Sequence, residues 1–186
     1  MFLLPLVSFA VALSHVAITQ ASSVTVFNNC GDRVWFHEVY GTFSQVYAVD
    51  PGTSAALNQP PDGTGVAVNV YTGCSDDTAT SCTTGGVTND GGASPFIRAE
   101  ATFTGGSVNY DISPLYGYNR AMKINTGGGQ GVNSQFYHDA CPNAYSFPDD
   151  DCANYGDSPD AGCGDNTDLT ITVCPTGTSS NINLCT

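Results

Sequence analysis

The amino-acid sequence predicts an all-β fold, either a sandwich or a barrel of short strands. Several short runs alternate apolar residues with polar or small ones, whereas helical periodicity is scarce. The alternating apolar residues are Val24, Val26, Val34, Phe36, Val66, Val68, Val70, Leu169, Ile171 and Val173. Turn-forming clusters separate the runs: Asp50-Pro51-Gly52, Pro60-Pro61-Asp62-Gly63, Asn89-Asp90-Gly91-Gly92 and Thr126-Gly127-Gly128-Gly129. Short strands separated by such clusters are typical of sandwiches and barrels.

One hairpin is predicted in detail, because its sequence IRAEATFTGGSVNYDIS, residues 97–113, alternates on both sides of Gly105-Gly106. A Gly-Gly pair between two alternating runs favours a two-residue β-turn, which here pairs Thr104 with Ser107. In that register one face is apolar and consists of Ala99, Ala101, Phe103, Val108, Tyr110 and Ile112. The other face carries Arg98, Glu100, Thr102, Asn109, Asp111 and Ser113. A slip of one residue would turn the polar side chains towards the core, so the register is well determined.

The polar face of this hairpin places Glu100 directly opposite Asp111. Two like charges in this arrangement destabilise a strand pair. We therefore interpret the two carboxylates as a candidate functional site, at which binding of a ligand or a reaction would account for the loss of stability.

The first residues predict a secretory signal. The apolar run FLLPLVSFAVAL is followed by small residues that end at Thr19-Gln20-Ala21, which predicts a signal peptide over residues 1–21 and one domain over residues 22–186. The run is shorter than the roughly 20 apolar residues that span a bilayer, so a membrane anchor is the less favoured interpretation.

Cysteine usage also indicates secretion. All eight cysteines follow the predicted signal: Cys30, Cys74, Cys82, Cys141, Cys152, Cys163, Cys174 and Cys185. An even number after a signal peptide predicts disulfides formed in an oxidising compartment, and hence an extracellular or cell-wall protein. Zinc is not expected, because the sequence has no Cys-x-x-Cys pair and only His37 and His138 follow the signal. No metal or other cofactor is predicted.

The charge balance excludes two classes of partner. The formal net charge is −13, and the basic residues number only four. Such an acidic surface repels nucleic acids and anionic membranes.

Three further clusters have a functional and a structural interpretation. The aspartates Asp149, Asp150, Asp151, Asp157, Asp160, Asp165 and Asp168 could bind Ca²⁺, but no 12-residue calcium-loop pattern occurs, so a solvated loop stapled by cysteines is preferred. His138-Asp139 beside Cys141 resembles a nucleophile pair, although a secreted cysteine among eight is expected in a disulfide. Trp35 and His37 share one side of a strand and are expected to pack against a neighbouring loop.

Several segments resemble the thaumatin-like (osmotin-like, pathogenesis-related) protein family. They are VTVFNNCGDRVWF, VYTGCSDD with SCTTGG, RAEATF, YDISPLYGYNRAMKI, CPNAYSFPDD and DLTITVCP, which together span most of residues 22–175. The run of Tyr-Asp-Ile-Ser, Gly-Tyr-Asn and Met is the most specific of them. The chain is similar to a form of this family with fewer cysteines than its plant members.

The resemblance implies a flattened antiparallel β-sandwich with disulfide-stapled loops. It also implies a Cys30–Cys174 disulfide that ties both ends together and a Cys74–Cys82 disulfide within one loop. The remaining cysteines, Cys141, Cys152, Cys163 and Cys185, permit three pairings, and the sequence does not choose among them. The loop domain that follows the Met in the family is compressed here to residues 123–140.

The resemblance further implies an acidic cleft. Glu100 in RAEATF matches the family's Glu, and Asp111 in YDIS matches one of its Asp residues, so the resemblance and the hairpin register converge on the same pair. Tyr71 stands where the family has an Arg, and Tyr116 stands where it has an Asp. Arg98, on the same strand face as Glu100, could supply the missing positive charge.

The favoured functional hypothesis is a secreted monomer that binds β-1,3-glucan or a related cell-wall polysaccharide. Glu100, Asp111 and Arg98 would accept and donate hydrogen bonds, while Tyr71 and Tyr116 would stack on sugar rings. One alternative is a weak endo-β-1,3-glucanase, in which proximity raises the pKa of one carboxyl of the Glu100–Asp111 pair and supplies the acid. Another is an interaction protein in host–microbe contact: an antifungal protein, an effector, an adhesin or an inhibitor of a partner's hydrolase.

Overall fold

The computed structural model describes residues 23–88, 94–113, 115–117, 119–126, 134–137, 161–163 and 168–175, and these residues contain eleven strands and no helix. The strands are β1 (Val24–Asn28), β2 (Val34–Tyr40), β3 (Phe43–Val49), β4 (Ser54–Ala56), β5 (Gly65–Thr72), β6 (Arg98–Thr104), β7 (Ser107–Ser113), β8 (Met122–Thr126), β9 (Ser134–Tyr137), β10 (Ala161–Cys163) and β11 (Leu169–Val173). Residues 1–22 lie outside this set, so the signal peptide remains a prediction.

The strands form two sheets that pack face to face. One sheet has the order β4-β1-β11-β8-β9 and the other has the order β10-β7-β6-β5-β2-β3. Among the described strands β1 and β11 pair in parallel, and the other pairs are antiparallel. The predicted all-β sandwich is therefore confirmed.

The core lies between the two sheets and consists of the residues that alternate in the sequence. Val24 and Val26 of one sheet meet Val34, Phe36 and Val68 of the other, and all five are at most 1% exposed. Burial of each such side chain stabilises the fold by roughly 1.5–3 kcal/mol, before the cost of ordering the chain. The sequence period of two thus determines which face of each strand packs inwards.

The β6–β7 hairpin has the predicted register throughout, from Arg98 opposite Ser113 to Thr104 opposite Ser107. Gly105 and Gly106 form its turn with φ angles of +57° and +86°, which glycine adopts without strain and which β-branched residues resist. The Gly105 amide also donates a 2.8 Å hydrogen bond to Asp62, which attaches the turn to the loop before β5.

The Cys30–Cys174 and Cys74–Cys82 disulfides implied by the resemblance are both present. Beside the first, buried Asn28 donates 2.8 Å hydrogen bonds to the carbonyls of Asp32 and Val49 and accepts one from the Cys30 amide. This side chain joins β1 of one sheet to β3 of the other. Cys163 lies in β10, and Cys141, Cys152 and Cys185 lie outside the described residues, so their pairing remains a prediction.

The Cys74–Cys82 loop covers a second, smaller core on the outer face of the six-stranded sheet. This core contains Trp35, Tyr71, Ala79 and Phe96, which confirms the expected packing of Trp35. The loop is tightened by Asp76, whose carboxylate accepts hydrogen bonds from Thr78 and Thr80. These donors hold the pKa of Asp76 well below its usual range.

Glu38 is a buried carboxyl that points between the sheets. It is fully buried, and its Oε2 accepts hydrogen bonds from the Tyr47 hydroxyl at 2.9 Å and the Asn58 amide at 3.2 Å. Within the described residues its Oε1 has no hydrogen-bond partner. Burial raises the pKa of Glu38, because the charged form loses its hydration, whereas the two donors act in the opposite direction.

Replacement of Gly105 tests the turn. A Cβ at this position meets no atom within 4 Å, so substitutions act through the backbone alone. Gly105→Val should destabilise the protein by about 1–2 kcal/mol, because a β-branched residue resists a positive φ, whereas Gly105→Asn should be nearly neutral. Chemical denaturation of both variants measures the effect, and equal stability of the two would contradict the assigned turn.

Replacement of Glu38 tests the buried carboxyl. A pKa raised by folding gives stability that is complete below the unfolded pKa and is lost as the pH rises through the folded pKa. Glu38→Gln cannot ionise, so its free energy of unfolding relative to wild type should increase between pH 4 and pH 7. Denaturation curves at both pH values measure this difference, with Glu100→Gln as the control at a more exposed site. A difference that does not change with pH would show that Glu38 does not titrate with folding.

Candidate functional site

The outer face of the six-stranded sheet carries two neighbouring rows of side chains that run across the strands. In the first row Val39, Ala67, Glu100 and Asp111 are successive partners on β2, β5, β6 and β7. The second row, one pair further along the strands, contains His37, Asn69, Arg98 and Ser113. The strand registers alone therefore bring the predicted acidic pair beside Arg98.

The first row lies in a cleft of about 490 Å³. The small residues Gly65 and Ala67 form its floor, and Glu100 and Asp111 stand beside them. Residues lining the rest of the cleft include Val39, Tyr40, Gly41, Ala101, Thr102, Asn109 and Tyr110. Cβ atoms of facing strand residues lie about 4.5–5.5 Å apart, so one ligand can reach both carboxylates.

Arg98 supplies a positive charge at the edge of this cleft, as the sequence predicts. Its Nη1 lies 3.4 Å from Glu100 Oε1, and its Nε donates a 2.7 Å hydrogen bond to Asn69 Oδ1. The guanidinium also lies 4.1 Å from the ring centroid of Tyr116. With the Arg98 side chain only 19% exposed, these contacts hold the cation in one position and offset part of the repulsion between Glu100 and Asp111.

Tyr116 lies beside the cleft rather than in its lining. Its ring stacks on Phe96, with 5.2 Å between centroids and 5° between planes. The half-buried Tyr116 therefore acts first as a platform for Arg98, and a ligand would meet its ring only at the rim of the cleft.

The geometry does not support the predicted stacking role of Tyr71, because its side chain is 2% exposed. The loop of residues 74–87 closes over it, and its ring packs edge-on against Phe96 at 5.4 Å. Its hydroxyl accepts a 3.2 Å hydrogen bond from Asn69 and lies 2.9 Å from His37 Nδ1.

His37 extends this set of polar contacts to β3, because its Nε2 lies 2.8 Å from the Ser44 hydroxyl. It is buried as expected, but it takes part in a polar network that the sequence did not predict. Burial lowers the pKa of His37, and the charge of Arg98 lowers it further. The network becomes visible only when the β2–β5 and β5–β6 registers are known.

The other clusters that the sequence singles out lie mostly outside the described residues. Among the described residues, no group of three or more His, Cys, Asp or Glu side chains could hold a metal ion. Asp168 accepts hydrogen bonds from the Ser23 amide and hydroxyl. The other aspartates of the acidic segment, and His138 with Cys141, lie outside the described residues. The described part of the chain also has no helix with the length and apolar character that crossing a membrane requires.

Comparison with known proteins agrees with this fold. No protein-family model matches the chain. A thaumatin-like protein of Oryza sativa subsp. japonica is 30% identical over 151 residues, which cover 77% of this chain and 83% of the relative. Thaumatin-like pathogenesis-related protein 4 of Avena sativa is 30% identical over 148 residues, covering 77% of this chain and 85% of the relative.

A disulfide-tied, antiparallel-rich β-sandwich with an acidic pair on one sheet face defines the class, and these identities define the family. The chain belongs to the thaumatin-like protein family. The structure of the thaumatin-like xylanase inhibitor TLXI has the same fold, with a TM-score of 0.61 and 23% identity over 83% of this chain and all of the inhibitor.

A double-mutant cycle tests the contact between Arg98 and Tyr116. Arg98→Met and Tyr116→Leu should be coupled by about 0.5–1 kcal/mol in the free energy of unfolding, since either change removes the same cation–ring contact. Urea denaturation of the two single variants and the double variant measures the coupling. Additive effects would show that the ring does not hold the guanidinium.

Proposed function

We propose that this thaumatin-like protein is secreted and binds β-1,3-glucan or a related cell-wall polysaccharide in its acidic cleft, in a defence or host–microbe role. The observation that carries the proposal is the placement of Glu100 opposite Asp111 above a floor of Gly65 and Ala67. This arrangement gives a polyhydroxylated chain two acceptors and the space to lie against them.

The chemistry of the cleft lining fits a sugar. Carboxylates accept hydrogen bonds from hydroxyl groups, and Thr102 and Asn109 add donors on the same face. Val39 and Ala67 offer apolar surface to the C–H groups of a sugar ring. A site with apolar walls and a few convergent polar groups is typical of small-ligand binding.

Secretion is supported by the two disulfides and by the relatives. Disulfides persist in oxidising compartments, and one relative is itself named a pathogenesis-related protein. The predicted signal over residues 1–21 would direct the chain there.

Hydrolysis of the same polymer is a second candidate, favoured by the face-to-face register of the carboxyls. A retaining glycosidase needs two carboxyl groups about 5–5.5 Å apart, one as nucleophile and one as acid. Glu100, paired with Arg98, would be the nucleophile and Asp111 the acid.

A protein partner is a third candidate, favoured by charge. The net charge of −13 and the paired carboxylates would suit an Arg or Lys side chain presented by another protein, and TLXI, which has the same fold, is named a xylanase inhibitor.

Binding to insoluble β-1,3-glucan tests the proposal. Disulfide-intact protein should sediment with the polymer and release no reducing sugar. Glu100→Gln or Asp111→Asn should weaken binding about tenfold, the loss expected for one charge-assisted hydrogen bond. Ala67→Phe should abolish binding by filling the floor of the cleft, and Tyr116→Ala should weaken it through Arg98. The control, Asp77→Asn, removes an exposed carboxylate outside the cleft and should bind like wild type.

The other outcomes separate the candidates. Sugar release that Glu100→Gln abolishes would identify a glucanase. Its rate should then depend on pH in a bell-shaped curve with an acidic optimum. If the protein neither binds the polymer nor releases sugar, this polymer is excluded and the protein partner is favoured. Soluble oligosaccharide should then fail to displace that partner.

A further inference from the structure

A continuous row of polar contacts crosses the outer face of the six-stranded sheet and ends at the cleft. It runs from Ser44 to His37, to Tyr71, to Asn69, to Arg98 and to Glu100, with successive separations of 2.8, 2.9, 3.2, 2.7 and 3.4 Å. The row links β3, β2, β5 and β6. Most of it is removed from water, because His37, Asn69 and Tyr71 are all at most 7% exposed.

The chemistry of the groups determines which of them donates and which accepts each hydrogen bond along the row. A guanidinium only donates, so the Asn69 oxygen must face Arg98 and the Asn69 amide group must face Tyr71, as the structure shows. The Tyr71 hydroxyl accepts from that amide and in turn can donate to His37 Nδ1. Burial and the nearby charge of Arg98 favour the neutral imidazole, whose Nε2–H then donates to Ser44.

We propose that His37, Tyr71 and Asn69 are positioning residues that hold Arg98 at the edge of the cleft and thereby set the orientation of Glu100. Arg98 has a long side chain with about 2 kcal/mol of rotamer entropy, which an exposed ion pair alone would not hold in place. The buried end of the row fixes its Nε, so that Nη1 is presented to Glu100.

This row also gives a reason for a tyrosine at position 71, where the family resemblance implies an Arg. A buried hydroxyl here anchors Asn69, and the cation is supplied from the next strand by Arg98. The ligand-binding part of the inference rests on the proposed function, whereas the positioning of Arg98 does not.

Tyr71→Phe tests the row, since it removes one hydroxyl and keeps the ring that packs on Phe96. Affinity for a soluble β-1,3-gluco-oligosaccharide should fall about fivefold, the loss expected for one hydrogen bond. In the ligand-free protein, NMR should show that the Arg98 Nε–H loses its protection from hydrogen exchange. The same spectra should report the neutral His37 tautomer with hydrogen on Nε2 in wild type.

Tyr47→Phe is the matched control, because it also removes a hydroxyl from a hydrogen bond, the one to Glu38, on the opposite face of the sheet. It should leave the Arg98 signal and the affinity unchanged. Asn69→Leu provides a second variant, in which the Arg98 Nε–H should lose protection directly.

Each outcome decides the inference. Unchanged Arg98 protection in Tyr71→Phe and Asn69→Leu, or equal loss of affinity in Tyr71→Phe and Tyr47→Phe, would overturn it. A His37 tautomer with hydrogen on Nδ1 would overturn the assigned direction of the row. Loss of Arg98 protection without any oligosaccharide binding by wild type would support the positioning row and count against the polysaccharide.

Discussion

The two-glycine turn at residues 105–106 is the constraint on which the site depends. Its positive φ angles fix the β6–β7 register, and that register puts Phe103, Val108 and Ile112 into the core. The same register sets Glu100 opposite Asp111 on the outer face. Core packing and the acidic pair are therefore consequences of one backbone geometry, because a shift by one residue would exchange the two faces.

The acidic pair is tolerated because a cation is fixed beside it. Arg98 contacts Glu100, Asn69 and Tyr116 at once, and Lys could not make all three contacts from one position. The six-stranded sheet packs against a core on each face: the core between the two sheets, and the smaller core under the Cys74–Cys82 loop. The second core keeps the buried part of the polar row dry, which strengthens its hydrogen bonds.

Much of the fold was predictable because its information is local. Period-two alternation located the core strands, and the Gly-Gly turn gave the whole β6–β7 register and hence Glu100 and Asp111. Burial of Tyr71 and the His37 network were not predictable, because they depend on pairings between strands distant in sequence and on a loop that folds over them. The resemblance gave the position of Tyr71 but not its surroundings. The buried Glu38 was missed because its hydrogen bonds to Tyr47 and Asn58 depend on the β2–β3 pairing and on the chain after β4, which the sequence pattern does not show.

The parallel pairing of β1 with β11 has a consequence for synthesis. Strands β2, β3, β5, β6 and β7 come from residues 34–113 and pair mainly with neighbours in the sequence, so they can assemble while the chain is still emerging. The other sheet cannot, because β11 lies between β1 and β8, and its pairing with β1 brings Leu169 opposite Val24, 145 residues earlier in the chain. The Cys30–Cys174 disulfide closes a similar span of 144 residues. Such long-range pairing is slow. Until residues 169–174 arrive, one face of the half-formed sandwich stays uncovered, and apolar surface exposed in this way makes a partly folded chain prone to aggregation.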